Sequence, residues 1–188
     1  AQVNYWLGHG SRMREDINEG RDLHCTFAAE ILGIPYEEVM LRKEQGDPEV
    51  AEARHAGKQG NFGFGGGMGP DKFVATCLKN GVVLGTKHLS PREHAMELKA
   101  KWLAAFPEMR AYFQRFSRLA GRSESGFTYR QFVSGRQRGD VSYTEGCNTG
   151  FKALVADALK LAMILNARAC YLRDGGVVAG LAERDHGF

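Results

Sequence analysis

Residues 54–69 read RHAGKQGNFGFGGGMG, a cationic stretch that runs into a cluster of glycines. Arg54, Lys58 and Phe62 recur every four residues, so a helix places all three on one slowly drifting face. Two cations one turn apart, with an aromatic ring one turn further on, suit a ligand that carries a polyphosphate and a flat base. Arginine offers phosphate oxygens a planar fork of donors, and lysine offers a point charge. The same spacing also describes a solvated charged face with Phe62 in the core, and on spacing alone that plainer reading is favoured. Gly57 and Gly60 each cost a helix roughly 1 kcal/mol relative to alanine. Such weakness suits a helix that moves or that lets a ligand come close. Gly63, Gly65, Gly66, Gly67 and Gly69 follow as a glycine-rich segment. It lacks the order G-x-x-x-x-G-K-[ST], and no strand precedes it to form a dinucleotide-binding turn. It reads as a hinge whose backbone can pack against a base pair.

The chain around this stretch is ordinary in composition. Its 188 residues suffice for one or two packed units, with 43% apolar and 25% charged residues. A net charge of +3 permits a nucleic-acid partner without arguing for one, since basic residues act when clustered. Cys25, Cys77, Cys147 and Cys170 are widely separated and form no C-x-x-C pair. They suggest neither zinc nor a disulfide framework and fit a reducing cytoplasm. None of the six histidines belongs to an H-E-x-x-H motif, and no apolar run reaches membrane-spanning length. The first residue, Ala1, opens inside an apolar segment and Phe188 follows no obvious stop, so the chain reads as an excised fragment.

Helices account for most of the pattern. Residues 1–18 suggest a helix and a polar connection, and Asp22 caps a helix over residues 23–32 that stops at Gly33. A short charged helix from Tyr36, a Gly46-Asp47-Pro48 turn and the cationic helix come next. Residues 71–82 predict a helix with Phe73, Val74, Cys77 and Leu78 on one side. Ser90 and Pro91 mark another start, and Pro107 kinks or divides the helical run that follows. Leu98, Trp102, Phe106, Met109, Phe113 and Phe116 form a core stripe along it. Residues 126–144 alternate as a β-hairpin, with Phe127, Tyr129 and Phe132 in its first strand and Arg136 and Arg138 at its tip. Those arginines are either solvated or a clamp on backbone phosphates. Residues 148–172 form a long helix with an apolar face through Phe151, Leu154, Val155, Leu159, Met163 and Leu165.

The run R-x-x-x-K-x-x-x-F-G, followed by GGMG, resembles motif B of family A DNA polymerases, the family of bacterial DNA polymerase I. Its FGFGGGMG ending is most similar to the bacteriophage members. Two further segments carry the resemblance. GRDLHCTFAAEILG, residues 20–33, is similar to the family's G-R-D-x-H-x-x-x-A-A-E-x-x-G. In residues 148–163, Asn148, Asp157, Lys160, Ala162 and Met163 keep the spacing of N-T-x-F-Q-G-x-A-A-D-x-x-K-x-A-M. The three lie in family order and cover nearly the whole chain, which corresponds to the segment between motifs A and C. Three positions depart from the pattern. Gly66 stands where many members place a template-stacking tyrosine, although phage-like members also have glycine there. Lys152 replaces the family glutamine and Ala153 the family glycine. Lys152 can reach a phosphate but cannot accept a hydrogen bond from a base.

The resemblance implies a mainly α fold with a small β-hairpin, comprising the fingers and part of the palm of a right-hand polymerase. Residues 1–22 would end a palm helix and its connection, 23–125 form the fingers, and 126–188 supply the palm hairpin and long helix. The implied activity is template-directed nucleotidyl transfer, in phage DNA replication, with dNTP and primer–template DNA as partners. The parent protein would be a monomer, not bound to membrane, in the cytoplasm, or the host cytoplasm if viral. Lys58, Arg54 and His24 would hold the triphosphate, with Lys58 also a general acid to the leaving pyrophosphate. Phe62 would pack on sugar and base, and as Phe it predicts that dideoxynucleotides are discriminated against. Gly66, Gly67, Arg136, Arg138, Asn148 and Lys152 would contact DNA. The Mg²⁺ cofactor would be held by aspartates upstream of Ala1 and beyond Phe188, so no metal ligand is assigned and the chain alone is expected to be inactive. A non-catalytic nucleotide- or DNA-binding helical module would share the cationic helix. A purely structural helical domain would leave the ordered motifs unexplained.

Overall fold

Capping chemistry sets the helix boundaries. In the computed structural model, which describes residues 10–121, 126–131 and 133–171, helix α1 (Arg12–Asn18) begins at Ser11, whose hydroxyl accepts the Arg14 amide. Helix α2 (Leu23–Leu32) starts where the Asp22 carboxylate accepts the His24 amide, and it stops at Gly33 in the left-handed region, φ 68°. Helices α3 (Tyr36–Glu44) and α4 (Pro48–Gly65) flank the turn at Asp47, whose side chain accepts the amides of Glu49 and Val50. Helix α5 (Pro70–Lys79) ends three residues before the expected point. Helix α6 (Pro91–Ala105) opens on a complete capping box between Ser90 and Glu93. Pro107 separates α6 from α7 (Glu108–Ala120) and does not merely bend one long helix.

Strands β1 (Phe127–Arg130) and β2 (Gln137–Val141) pair antiparallel, with Phe127 opposite Val141 and Tyr129 opposite Arg138. Helix α8 (Tyr143–Tyr171) follows directly. The fold is thus mostly helical with a small two-stranded sheet. The segments 1–9, 122–125 and 172–188, together with Phe132 and the side chain of Phe151, lie outside the described residues.

One core joins these elements. The stripe on α6 and α7 is buried at Leu98, Trp102, Phe106, Met109 and Phe116, with Phe113 half-buried. Phe27 of α2, Phe64 of α4 and Phe73 of α5 pack into the same cluster, as do Phe127, Tyr129, Val141 and Cys147. Fully burying side chains of this size is worth about 1.5–3 kcal/mol each. Ring centroids of Phe64 and Phe73 lie 4.2 Å apart, and those of Trp102 and Phe106 5.6 Å. A smaller cluster of Cys25, Ala28, Val39, Val50 and Ala53 fastens α2 to α3 and α4.

Three expectations are corrected. Gly57 and Gly60 serve close packing of α2 on α4. A Cβ at position 57 would stand 2.8 Å from the His24 carbonyl oxygen, and one at 60 would stand 2.5 Å from Phe27 Cε1. The ligand approach read from these glycines is therefore filled by the protein's own helix. Gly60→Val is expected to destabilise the fold by about 1–3 kcal/mol through overpacking, lowering the urea midpoint. An unchanged midpoint would contradict this contact.

The second correction concerns apolar faces. Val155, Leu159, Met163 and Leu165 are exposed, because no described element lies over that part of α8. Leu78 is also exposed, while Phe73 and Cys77 of the same helix are buried. The third concerns the hairpin tip. Arg138 lies within β2, and the turn is built around Gln131, whose Oε1 accepts the amides of Val133 at 2.6 Å and Ser134 at 2.7 Å.

Candidate functional site

The close approach of α2 and α4 joins two sequence motifs that are some thirty residues apart. Arg54, Lys58 and Phe62 follow one another along α4, and His24 at the start of α2 lies beside Phe62. The His24 and Phe62 rings are 5.9 Å apart and tilted by 50°. Phe62 is 70% exposed, so it is not the core residue that the plainer reading allowed. Lys58 is exposed and has no ion-pair partner among the described residues. An exposed ring beside a cation without a carboxylate partner leaves both available to a ligand.

Arg54 is differently placed. Its Nε and one terminal nitrogen donate to Asp22 Oδ2 at 3.0 and 2.8 Å, and Lys43 Nζ stands 3.5 Å from the same oxygen. Asp22 Oδ1 caps α2 through the His24 amide, and the Asp22 amide donates to the Tyr36 hydroxyl at 2.9 Å. Asp22 is therefore a junction of α2, α3 and α4. Sequence reasoning found its cap and missed its hold on Arg54. Part of the Arg54 fork is committed to Asp22, so Lys58 is the less encumbered cation.

Partial burial would raise the Asp22 carboxyl, but the hydrogen bond from Arg54, with that from the His24 amide, outweighs it and holds the group well below the usual carboxylate range. The folded carboxyl then titrates lower than the unfolded one. Its stabilising effect is present above the ordinary aspartate value of about 3.9 and is lost as pH falls through the folded value. Asp22→Asn keeps an N-cap of similar strength and removes the charge. The expected result is a loss of roughly 1–2 kcal/mol at neutral pH, with the gap to wild type narrowing as urea titrations are moved to acid. A gap independent of pH would contradict the ion pair.

His24 is shifted downward, first by burial and further by Arg54 and Lys58, against the opposing pull of Asp22. The imidazole is therefore biased toward its neutral form. Its Nδ1 lies 2.9 Å from Asn61 Nδ2, a neighbour that charge and motif reading did not single out. The signal was its position, one residue before Phe62 in the same motif.

The remaining candidates group around α8. Gly66 and Gly67 are buried. A Cβ on Gly66 would meet Asn148 Oδ1 at 2.7 Å, and one on Gly67, whose φ is 76°, would meet Tyr143 and Cys147 at 3.1 and 3.2 Å. Their freedom is used in seating α4 against α8, where Asn148 Nδ2 also reaches the Gly66 carbonyl at 3.4 Å. Arg136 pairs with Asp157 at 2.8 Å. Arg138 donates to Glu145 at 2.8 Å and to the Thr149 hydroxyl at 3.0 Å. With Gln131, Asn148 and exposed Lys152, these arginines line a cavity of about 360 Å³ between the hairpin and α8.

The structure thus brings four of the proposed DNA residues, Arg136, Arg138, Asn148 and Lys152, to one cavity, leaves Gly66 and Gly67 buried against α8, and sets His24, Arg54, Lys58 and Phe62 at the α2–α4 face. Among the described residues, no three His, Cys, Asp or Glu side chains converge to hold a metal, and no helix is long and apolar enough to cross a membrane. No protein-family model matches the chain, and no curated protein matches it.

Proposed function

We propose that this chain is the nucleotide-binding segment, fingers with part of the palm, of a family A DNA polymerase of the phage type. The observation that carries the reading is the meeting of His24 with Phe62 at 5.9 Å. The two belong to separate motif matches, and the resemblance assigns both to one ligand. The third match, on α8, touches the end of α4 through Asn148 and Gly66.

In this reading Lys58 meets the triphosphate and offsets charge that grows on the leaving pyrophosphate, which it also protonates. A preorganised cation is most effective where charge develops during reaction. Arg54, steered by Asp22, adds a second positive group, and His24 adds a donor. Phe62 offers an apolar face to sugar and base. The cavity between hairpin and α8 carries Arg136, Arg138 and Lys152 toward the DNA backbone, which is where sequence-independent affinity arises.

Mg²⁺ in this chemistry stabilises attacking and leaving oxygens. The described residues offer no set that fits it, and none of the roles above runs through it. The test is the flanking coding sequence. A D-Y-S-x-x-E shortly upstream and an H-D-E shortly downstream are expected, and continuous coding sequence with neither would overturn the polymerase reading in favour of a non-catalytic binding module.

A further inference from the structure

Asn61 of α4 links α2 to the buried Trp102. Its Oδ1 accepts from Trp102 Nε1 at 2.8 Å. Its Nδ2 donates to the Leu23 carbonyl oxygen at 3.0 Å and lies 2.9 Å from His24 Nδ1. An indole N–H can only donate and a carbonyl oxygen can only accept. Both neighbours therefore fix the same orientation of the amide, with oxygen toward Trp102 and nitrogen toward α2. Nδ2 then presents an N–H to His24 Nδ1, which must be the bare, accepting nitrogen. In a neutral imidazole the proton is left on Nε2, at the far edge of the ring.

We propose that Trp102 and Asn61 are positioning residues that lock His24 in the Nε2–H tautomer, so that the ring offers a donor to the phosphates of a bound triphosphate. The proposal rests on the triphosphate reading of this face. Trp102 is fully buried in the aromatic core, so the tautomer at the surface is set from the interior of the fold. The other tautomer would oppose two N–H groups at Nδ1 and turn a lone pair toward the anion. Protonation of His24 meets the same opposition at Nδ1, in keeping with its bias toward the neutral form.

The experiment reads the ring nitrogens of His24 by long-range ¹H–¹⁵N correlation in the full chain at neutral pH, and the affinity for inorganic triphosphate by calorimetry. The expected wild-type spectrum has a bare Nδ1 and a protonated Nε2. Asn61→Asp, which can only accept toward the ring, is expected to move the proton to Nδ1. Trp102→Phe keeps a buried ring while removing the indole N–H, and is expected to give a mixture of tautomers. His24→Ala is expected to weaken triphosphate about tenfold, as for loss of a hydrogen bond to a charged group. Trp102→Phe should weaken it about threefold in wild type and not at all in the His24→Ala background, because its effect passes through His24.

A wild-type Nδ1–H tautomer would overturn the proposal. So would a tautomer unchanged by Asn61→Asp, or an equal Trp102→Phe effect in both backgrounds. If the wild type binds no triphosphate, the ligand reading of the face fails and the proposed role fails with it, while the nitrogen spectra still decide the tautomer assignment separately.

Discussion

Lys58→Ala is expected to reduce primer extension by at least about two to three orders of magnitude, the range seen when one preorganised charge-stabilising donor is removed. The measurement places this chain between family segments that carry motifs A and C and compares the parent with the variant. The argument for a large effect is structural as well as chemical. Arg54 already gives two donors to Asp22, so it cannot take over from Lys58 without giving up its ion pair with Asp22. Lys58 itself is exposed and holds no carboxylate among the described residues. Its removal therefore costs the fold little, and a loss of extension would report on the reaction. Equal extension by parent and variant would reduce Lys58 to a surface charge.

The second large effect concerns stability. Trp102→Ala is expected to destabilise the chain by about 3–5 kcal/mol, as for other fully buried aromatic truncations. Trp102 has no exposed surface, and its ring packs against Phe64, Phe106 and Phe113 at centroid distances of 6.0, 5.6 and 6.2 Å. The substitution leaves a cavity where α4, α6 and α7 meet and strips Asn61 Oδ1 of its donor. Urea unfolding at neutral pH reads the loss. A change below about 1 kcal/mol would mean that the stripe on α6 and α7 does not form the central core.

Trp102 also illustrates how far the sequence could be read. Its place in the core follows from helical spacing on residues 98–116, because burial of an apolar stripe is a local property of a helix. The caps at Asp22 and Ser90 and the stop at Gly33 were legible for the same reason, since a few neighbouring atoms decide them. What Trp102 does with its N–H was not legible. That bond joins α6 to α4 across forty-one positions, and no short-range pattern specifies it. Gly57 and Gly60 misled in the same way. Their cost in helix propensity is visible in sequence, whereas the Phe27 ring and His24 carbonyl that require them become neighbours only on folding.

The candidate site was legible in part. Spacing put Arg54, Lys58 and Phe62 on one face, and the motif at residues 20–33 drew attention to His24. The exposure of Phe62 could not be decided from an i, i+4, i+8 pattern, which core and surface aromatics share. Asp22 was read as a cap alone because its second oxygen faces Arg54 and Lys43, thirty-two and twenty-one positions away. Arg136 and Arg138 were placed at a hairpin tip. In the fold they turn toward α8 because Asp157, Glu145 and Thr149 lie on its near side.

The most direct test of the central claim is a titration of the full chain with dATP, followed through backbone amide shifts, in wild type and Lys58→Ala. The polymerase reading predicts saturable shifts centred on residues 24, 54, 58 and 62, with binding at least about tenfold weaker in the variant, as for a lost charge-assisted contact. Shifts that centre elsewhere, or equal affinity in the two proteins, would contradict the assignment of the α2–α4 face as a triphosphate site.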